Sequence, residues 1–226
     1  MGPPDTWERM GAWLRRLGPA GAARPRAIVV ISAHWEAPVV TVTSGTAPAL
    51  IYDYYGFPPH TYALRYPAPG DPVLAADLCS RLQSAGIEAA ADPDRGFDHG
   101  VFIPFKLIYP DADIPIVQLS LHDSLDPDLH LRIGRALAPL RDDRVLIVGS
   151  GMSYHNMAGF MRGNGEIPAS DRFDRWLGDA CAQTGEARTE ALIDWLAAPA
   201  ARDRRYNRPW VAYAVRRGFI GDANYR

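Results

Sequence analysis

Ala-Ile-Val-Val-Ile-Ser-Ala-His-Trp-Glu, residues 27–36, is the stretch that decides the fold. Its continuous apolar run is rich in β-branched residues and lies between Arg24-Pro25-Arg26 and small polar residues, a pattern typical of a buried parallel strand. We predict that this strand ends at His34. Ligands bind beyond the carboxyl ends of strands in open α/β sheets, because the loops there diverge around a crevice. His34 is therefore a candidate site residue.

A second stretch repeats this arrangement at residues 145–157, Val-Leu-Ile-Val-Gly-Ser-Gly-Met-Ser-Tyr-His-Asn-Met. Residues 145–148 predict another short buried strand, and Gly149 and Gly151 allow a sharp turn after it. His155 follows within one loop. We expect His34 and His155 to meet over the same edge of the sheet.

Between and around these strands, apolar patterns typical of strands and helices alternate along the chain. This order predicts an α/β fold, with a single catalytic-type domain over residues 1–226 and a mainly parallel, mixed central sheet that has helices on both faces. The further predicted strands are 39–43, which we expect to be more exposed, 87–91 and 114–121. The predicted helices are 5–17, 71–86, a short one within 101–109 that begins near Pro104, 126–140, and two within 170–198.

The composition excludes several classes of partner. A formal net charge of -2 and a charged fraction of 22% are ordinary, and no basic face predicts nucleic-acid binding. No apolar run is long enough to span a bilayer. Cys79 and Cys181 both fall on predicted helices, so we expect free thiols and a cytoplasmic protein. The sequence is also compatible with a homo-oligomer.

Histidines supply the chemistry of the predicted site. Taken alone, each is better explained as an exposed or satisfied side chain, but four of the six follow strands or lie in loops, and this clustering favours a site. Converging neutral imidazoles suit a borderline metal such as Zn(II) or Fe(II), and nearby carboxylates can complete or orient the set. The histidines are His34, His99, His122 and His155, and the carboxylates are those of Glu36, Asp53 and Asp98.

Two other features leave alternatives open. Residues 51–62 are dense in aromatic residues, Gly and Pro, so we predict an ordered loop. That loop either lines a pocket for a flat ring or packs over the sheet without binding anything. Ser150 lies between two glycines that lack the Gly-x-Ser-x-Gly spacing of a nucleophile elbow, and backbone turning explains this motif better than nucleophilic catalysis does.

Five motifs in order resemble those of the 4,5-DOPA-type extradiol aromatic ring-opening dioxygenases, within the class III extradiol dioxygenase superfamily. The likeness extends from about Asp5 to about Arg202. The motifs are Ser-Ala-His-Trp-Glu at 32–36, Tyr-Asp-Tyr-Tyr-Gly-Phe-Pro-Pro at 52–59, Tyr-Pro-Ala-Pro-Gly-Asp-Pro at 66–72, Gly-Phe-Asp-His-Gly at 96–100 and Gly-Ser-Gly-Met-Ser-Tyr-His-Asn-Met at 149–157.

The resemblance implies a non-haem enzyme that uses Fe(II) or Zn(II) to cleave the ring of a catechol-type aromatic diol with O2. By the matching motifs, His34 resembles a metal ligand, and His155 resembles a histidine described either as a ligand or as the acid/base. His99 resembles a catalytic residue beside the substrate. Asp98, Tyr54 and Ser150 are the expected substrate contacts.

Two segments of the family pattern are not found. Family members usually carry metal-ligand histidines in an early His-Gly-x-Pro turn and in a late His-Pro-x-x-x-His-Leu-Leu-Pro segment. This chain begins with Met-Gly-Pro-Pro, and residues 201–210 contain no histidine. We therefore expect both ligands to be missing, a family-like region over 1–202 and a divergent tail over 203–226.

Three functions follow from this pattern. The first is extradiol ring cleavage. The second is that of a catalytically impaired remnant of the family that binds a ligand or a partner. A metal-dependent hydrolase, which would cleave esters or amides without oxygen, is a more distant third. Consumption of O2 with a catechol distinguishes the first function from the other two.

Overall fold

A computed structural model describes residues 7–20, 24–154 and 168–201 of the chain. Within these ranges the chain forms six α-helices, five strands and three short 3-10 segments. The helices are α1 (Glu8–Ala20), α2 (Pro72–Ser84), α3 (His99–Ile108), α4 (Pro127–Leu137), α5 (Pro168–Ala182) and α6 (Gly185–Ile193), and the strands are β1 (Ala27–Ala37), β2 (Val40–Thr43), β3 (Ala89–Asp92), β4 (Ile116–His122) and β5 (Val145–Ser150). The 3-10 segments are Pro59–Ala63, Ala138–Arg141 and Trp195–Ala197.

The five strands form one sheet in the order β3-β2-β4-β1-β5. β1 runs parallel to both β4 and β5, β2 runs parallel to β3, and β2 pairs antiparallel with β4. The predicted mainly parallel, mixed sheet is therefore confirmed. The expectation that β2 is more exposed is wrong, because β2 lies between two strands and most of it is buried.

Helices cover both faces of this sheet, as the sequence predicts. Alternate residues of β1 point to opposite faces, so Val29 joins the core under α2 and α4, whereas Ile28 joins the core under α3. The first core includes Leu74, Leu78, Leu82, Ile133 and Leu137 from its helices. The second includes Val101, Phe102, Phe105 and Ile108 from α3.

Side-chain caps begin the predicted helices α2 and α4. Asp71 accepts a hydrogen bond from the backbone N–H of Leu74, and Asp126 accepts one from that of Asp128. α3 begins at His99 rather than near Pro104, because Asp98 caps its first turn. Val73 of α2 is 81% exposed, although its place in the apolar pattern of residues 71–86 predicts an inward-facing side chain.

β1 does not end at His34 as predicted. The strand continues to Ala37, but its register with β4 shifts between Ile31 and Glu36. Such an irregularity bends the strand and redirects its side chains, and it is common beside functional sites. His34 lies in this irregular segment, near the carboxyl end of β1.

Two smaller expectations concern the cysteines and membrane-spanning segments. The thiols of Cys79 and Cys181 are free and lie on α2 and α5, as predicted. Among the helices within the described ranges, none has both the length and the apolar character required to cross a bilayer.

Candidate metal and substrate site

His34 and His99 form the centre of the candidate site. Their imidazole rings lie 4.0 Å apart, measured between centroids, with an interplanar angle of 38°. The bend in β1 supplies His34, and the first residue of α3 supplies His99. Asp53, from the loop after β2, joins them, and one potential ligand atom from each of the three residues lies within 4.8 Å of the others.

Asp53 orients His99 through two hydrogen bonds. Its Oδ1 accepts the backbone N–H of His99 at 2.9 Å and lies 2.8 Å from His99 Nδ1. We assign the proton to Nδ1 from this contact, which leaves Nε2 of neutral His99 as the nitrogen with a lone pair. Burial raises the pKa of Asp53, but the hydrogen bonds from His99 outweigh it, and the net pKa is lowered.

Asp98 lies beneath the site and is fully buried. Its Oδ1 accepts the hydroxyl of Ser32 at 2.8 Å and the backbone N–H of Gly100 at 2.9 Å. Its Oδ2 accepts the side-chain amide of Gln118. The carboxylate is thus surrounded by protein donors and joins β1, β4 and α3. Its contact with a substrate stays a prediction.

Gly100 allows α3 to approach β1 closely. A Cβ atom at this position would lie 2.5 Å from Ser32 Oγ, closer than side chains can pack, and 3.0 Å from His34 Cδ2, which is also tight. The carbonyl of Gly100 has no partner four residues later, because Pro104 has no N–H. Ser150 fills this role by donating its hydroxyl to that carbonyl. Ser150 therefore holds the first turn of α3 in this structure, and its contact with substrate stays a prediction.

Tyr54 borders the site from the aromatic loop. Its ring meets His99 edge to face at a centroid distance of 5.9 Å, and its hydroxyl donates to the carbonyl of Thr61 at 2.6 Å. Tyr52 packs on Phe102 of α3 and donates to the carbonyl of Leu64. The loop is therefore packed on α3, and the same packing presents the ring of Tyr54 beside His99. The packed loop is therefore confirmed, and a pocket for a flat ring stays a prediction.

The remaining predicted residues have different positions. His155 lies outside the described residues, so its meeting with His34 stays a prediction. His122 belongs to a separate cluster with Ser124. Of the three carboxylates proposed to complete or orient the histidines, only Asp53 belongs to the group of ligand atoms found among the described residues.

Gln118 is a site-supporting residue that the sequence analysis missed. It is fully buried in the middle of β4, between Val117 and Leu119. An amide in an otherwise apolar central strand is a detectable signal, because a buried polar side chain requires hydrogen-bond partners. The sequence does not reveal which partners these are.

The donor set fits a divalent metal. Two imidazoles and a carboxylate are ligands that both Zn(II) and Fe(II) accept, and two histidines with one carboxylate recur in non-haem Fe(II) enzymes. Because Oδ1 of Asp53 already accepts two hydrogen bonds from His99, the contacts also suit Asp53 as the partner that orients a ligand.

A protein family described as the catalytic LigB subunit of aromatic ring-opening dioxygenase matches residues 5–225. The match thus continues beyond residue 202, where the sequence analysis places the start of a divergent tail. That tail lies outside the described residues.

Several curated relatives are similar to this chain. Dioxygenase tasH of Hapsidospora irregularis is 53% identical over 140 residues, which are 61% of this chain and 43% of that protein. A 4,5-DOPA dioxygenase extradiol of Beta vulgaris is 44% identical over 156 residues, 68% of this chain and 58% of the relative. One from Escherichia coli K12 is 42% identical over 153 residues, 67% and 53% of the two lengths. The chain spans about half the length of these relatives.

A solved structure has a similar fold. The crystal structure of an uncharacterised protein from Escherichia coli K12 superposes with a TM-score of 0.74 at 31% sequence identity. The superposition covers 91% of this chain and 80% of that one.

Proposed function

The chain belongs to the LigB family of aromatic ring-opening dioxygenases, and we propose that it cleaves the ring of a catechol-type diol with O2 in the extradiol manner. The relatives named 4,5-DOPA dioxygenase extradiol support DOPA as the first substrate to test. The reaction balances without a further reductant, because both atoms of O2 enter the ring-opened product and the two ring carbons at the cleaved bond are each oxidised by two electrons, which supplies all four.

The observation that carries this proposal is the convergence of His34, His99 and Asp53 on one edge of the sheet. His34 and His99 would hold Fe(II) or Zn(II), with Asp53 orienting His99. When bound, the metal would supply Lewis-acid chemistry toward the diol and, as Fe(II), redox chemistry toward O2. His155 is proposed as a further ligand or as the acid/base, by its match to the family motif.

The described side chains support three roles in such a reaction. His99 would offer the lone pair of Nε2 to the metal, because its other nitrogen bonds to Asp53, so the diol proton would go to His155 in its proposed acid/base role. The lowered pKa of Asp53 keeps that residue ionised, so its charge favours the proton on Nδ1 and strengthens Nε2 of His99 as a ligand. The ring of Tyr54 provides an apolar wall beside His99 that can contact the flat substrate.

The test is oxygen consumption by the whole chain after anaerobic reconstitution with Fe(II). With DOPA or catechol present, we expect uptake of one O2 per diol and, with ¹⁸O2, incorporation of both labelled atoms into the product. His34→Gln should abolish the reaction. The matched control is His60→Gln, an exposed histidine outside the candidate group, which should leave the rate unchanged.

Two other outcomes would replace this proposal. Stoichiometric metal binding without oxygen uptake would indicate the impaired remnant that binds a ligand. Anaerobic cleavage of an ester or amide that depends on His34 would indicate the hydrolase. A cytoplasmic location, a homo-oligomeric state and a single domain over 1–226 with a divergent tail are further parts of the proposal, which fractionation, sedimentation and limited proteolysis would test.

A further inference from the structure

We propose that Gln118 is a positioning residue for His34 and His99, an inference that rests on the proposed function of that pair. Gln118 is fully buried in β4 and contacts neither imidazole in the described hydrogen bonds. It acts through Asp98, the residue that connects the bend in β1 to the first turn of α3.

The amide of Gln118 holds residue 98 at two points. Its Oε1 accepts the backbone N–H of Asp98 at 3.4 Å, and its Nε2 donates to Asp98 Oδ2. These two contacts define both the orientation of the amide and the direction of the carboxylate. The main chain of Gln118 is itself held, since its N–H donates to Thr43 Oγ1 of β2 at 2.9 Å.

Asp98 connects Gln118 to the backbone segments of both histidines through hydrogen bonds. Its other oxygen accepts the hydroxyl of Ser32, and Ser32 Oγ in turn accepts the backbone N–H of His34 at 3.2 Å. The same oxygen accepts the N–H of Gly100, which follows His99 in the first turn of α3. A single fully buried carboxylate therefore determines how the backbones that carry His34 and His99 meet.

Because these side chains are buried, each of their polar atoms depends on a protein hydrogen-bond partner. Ser32, Asp98 and Gln118 each have 0% of their surface exposed, so water cannot replace a lost partner. Arg95 offers the carboxylate only a distant contact, with its guanidinium nitrogen 3.7 Å from Asp98 Oδ2. Without the amide of Gln118, Asp98 Oδ2 would lose its close donor and the carboxylate would have to turn, which would move the hydrogen bonds that define the site.

The test compares Gln118→Met with Ser120→Ala in the metal-free chain. Ser120 is a buried polar residue on the same strand, but its hydroxyl accepts the N–H of Thr41 and has no described bond to Asp98. Amide hydrogen exchange reports each network separately. Gln118→Met should speed exchange at His34 and Gly100 about tenfold, equivalent to about 1.4 kcal/mol of local opening. Ser120→Ala should speed exchange at Thr41 only.

Equal acceleration of all three amides in Gln118→Met would overturn the proposal, since that result indicates general destabilisation. No acceleration at His34 and Gly100 would overturn it as well. If Gln118→Met does not fold, Gln118→Asn keeps an amide but is one methylene too short to reach Asp98, and the same amides decide the outcome.

Metal affinity provides the second readout. In competition with a chromogenic chelator, Zn(II) should bind Gln118→Met about tenfold more weakly than wild type, whereas Ser120→Ala should match wild type. An unchanged affinity in Gln118→Met would contradict the positioning role. If the wild-type chain binds no metal, the proposed function fails, and the exchange experiment still decides whether Gln118 positions the two histidines.

Discussion

Two pairs of histidines occupy the carboxyl edge of the sheet, and the partners of their ring nitrogens differ. In the first pair, His99 Nδ1 contacts the carboxylate of Asp53, and the rings of His34 and His99 face each other. In the second pair, backbone groups occupy both nitrogens of His130. Its Nδ1 lies 2.7 Å from the carbonyl of Asp126, and its Nε2 accepts the N–H of His122 at 3.2 Å.

This difference distinguishes a potential metal site, at His34 and His99, from a pair of histidines that connects backbone segments, at His122 and His130. A histidine whose two nitrogens bond to the main chain has no lone pair to offer a metal, whereas one oriented by a carboxylate keeps its second nitrogen available. In His122 only Nδ1 has a described backbone partner, but its lone pair is used to accept the N–H of Ser124, and a neutral ring then carries its proton on Nε2. A histidine at the end of a strand therefore becomes a ligand candidate only when the nitrogen that carries its lone pair is not used by the backbone.

The largest expected effect is that of His99→Ala. Loss of this ring should weaken Zn(II) or Fe(II) binding by more than the roughly 100-fold that loss of an orienting partner can cost, and it should abolish ring cleavage. Chelator competition and oxygen uptake measure the two effects. His122→Ala is the matched change in the second pair, and metal affinity should stay at the wild-type value. Equal losses in both variants would remove the distinction between the pairs.

Asp53→Asn tests whether the carboxylate orients His99. The amide keeps an oxygen that can accept the backbone N–H of His99 but loses the charge that favours the Nδ1–H tautomer. We expect metal affinity to fall about 10–100-fold. Asp123→Asn is the control, since Asp123 is the carboxylate 3.5 Å from His122 Nδ1. An affinity unchanged in Asp53→Asn would show that His99 needs no orienting partner.

His130→Leu should lower the stability of the chain rather than its metal affinity, unlike the first two substitutions. It removes the side-chain partner of the N–H of His122, whereas the carbonyl of Asp126 keeps the backbone N–H of residue 130. The free energy of unfolding should therefore fall by about 1 kcal/mol. Metal affinity should not change. Urea denaturation measures the first quantity and chelator competition the second, with His60→Leu as an exposed control. A His130→Leu chain as stable as wild type would mean that these backbone bonds contribute nothing.

The smallest expected effect is a dependence of stability on pH. Burial lowers the pKa of His130, His122 lowers it further, and the carbonyl and carboxylate of Asp126 oppose the shift. The unfolded chain therefore takes up a proton here before the folded chain does. The free energy of unfolding should fall as the pH drops below the unfolded value of 6.5.

Above that value His130 is neutral in both states and contributes no pH dependence. Urea titrations at pH 7.5 and 5.5 (about one unit on either side of the unfolded pKa) would compare wild type with His130→Leu, which should lose less stability between the two conditions. An identical loss would contradict the assignment of a lowered pKa to His130.

Much of the fold follows from local patterns in the sequence. The apolar runs of β1, β4 and β5 predict buried strands, and the Asp-Pro pairs at 71–72 and 126–127 predict the starts of two helices, because the cap and the proline act within one turn. The position of β2 between β3 and β4, with its antiparallel pairing to β4, was not predictable, because strand pairing depends on contacts between distant residues.

The candidate site was likewise predictable only in part. His34 and His99 follow from their motifs, and Asp53 was one of three carboxylates near them in the sequence. Asp98 and Gln118 show the limit of that approach. Their motifs do not indicate that one carboxylate is enclosed by donors from three elements, since this depends on how β1, β4 and α3 meet.

The sequence by itself determined the fold class, the family and the residue types available to the site, because periodicity, caps and motifs are properties of neighbouring residues. Only the tertiary structure decided which of these residues meet. It bent β1 at His34, brought the first turn of α3 against that bend through Gly100, and turned Asp53 toward His99 while burying Asp98. The physical reason is that the direction of a side chain and the partners of its polar atoms depend on packing between elements that are far apart in the chain.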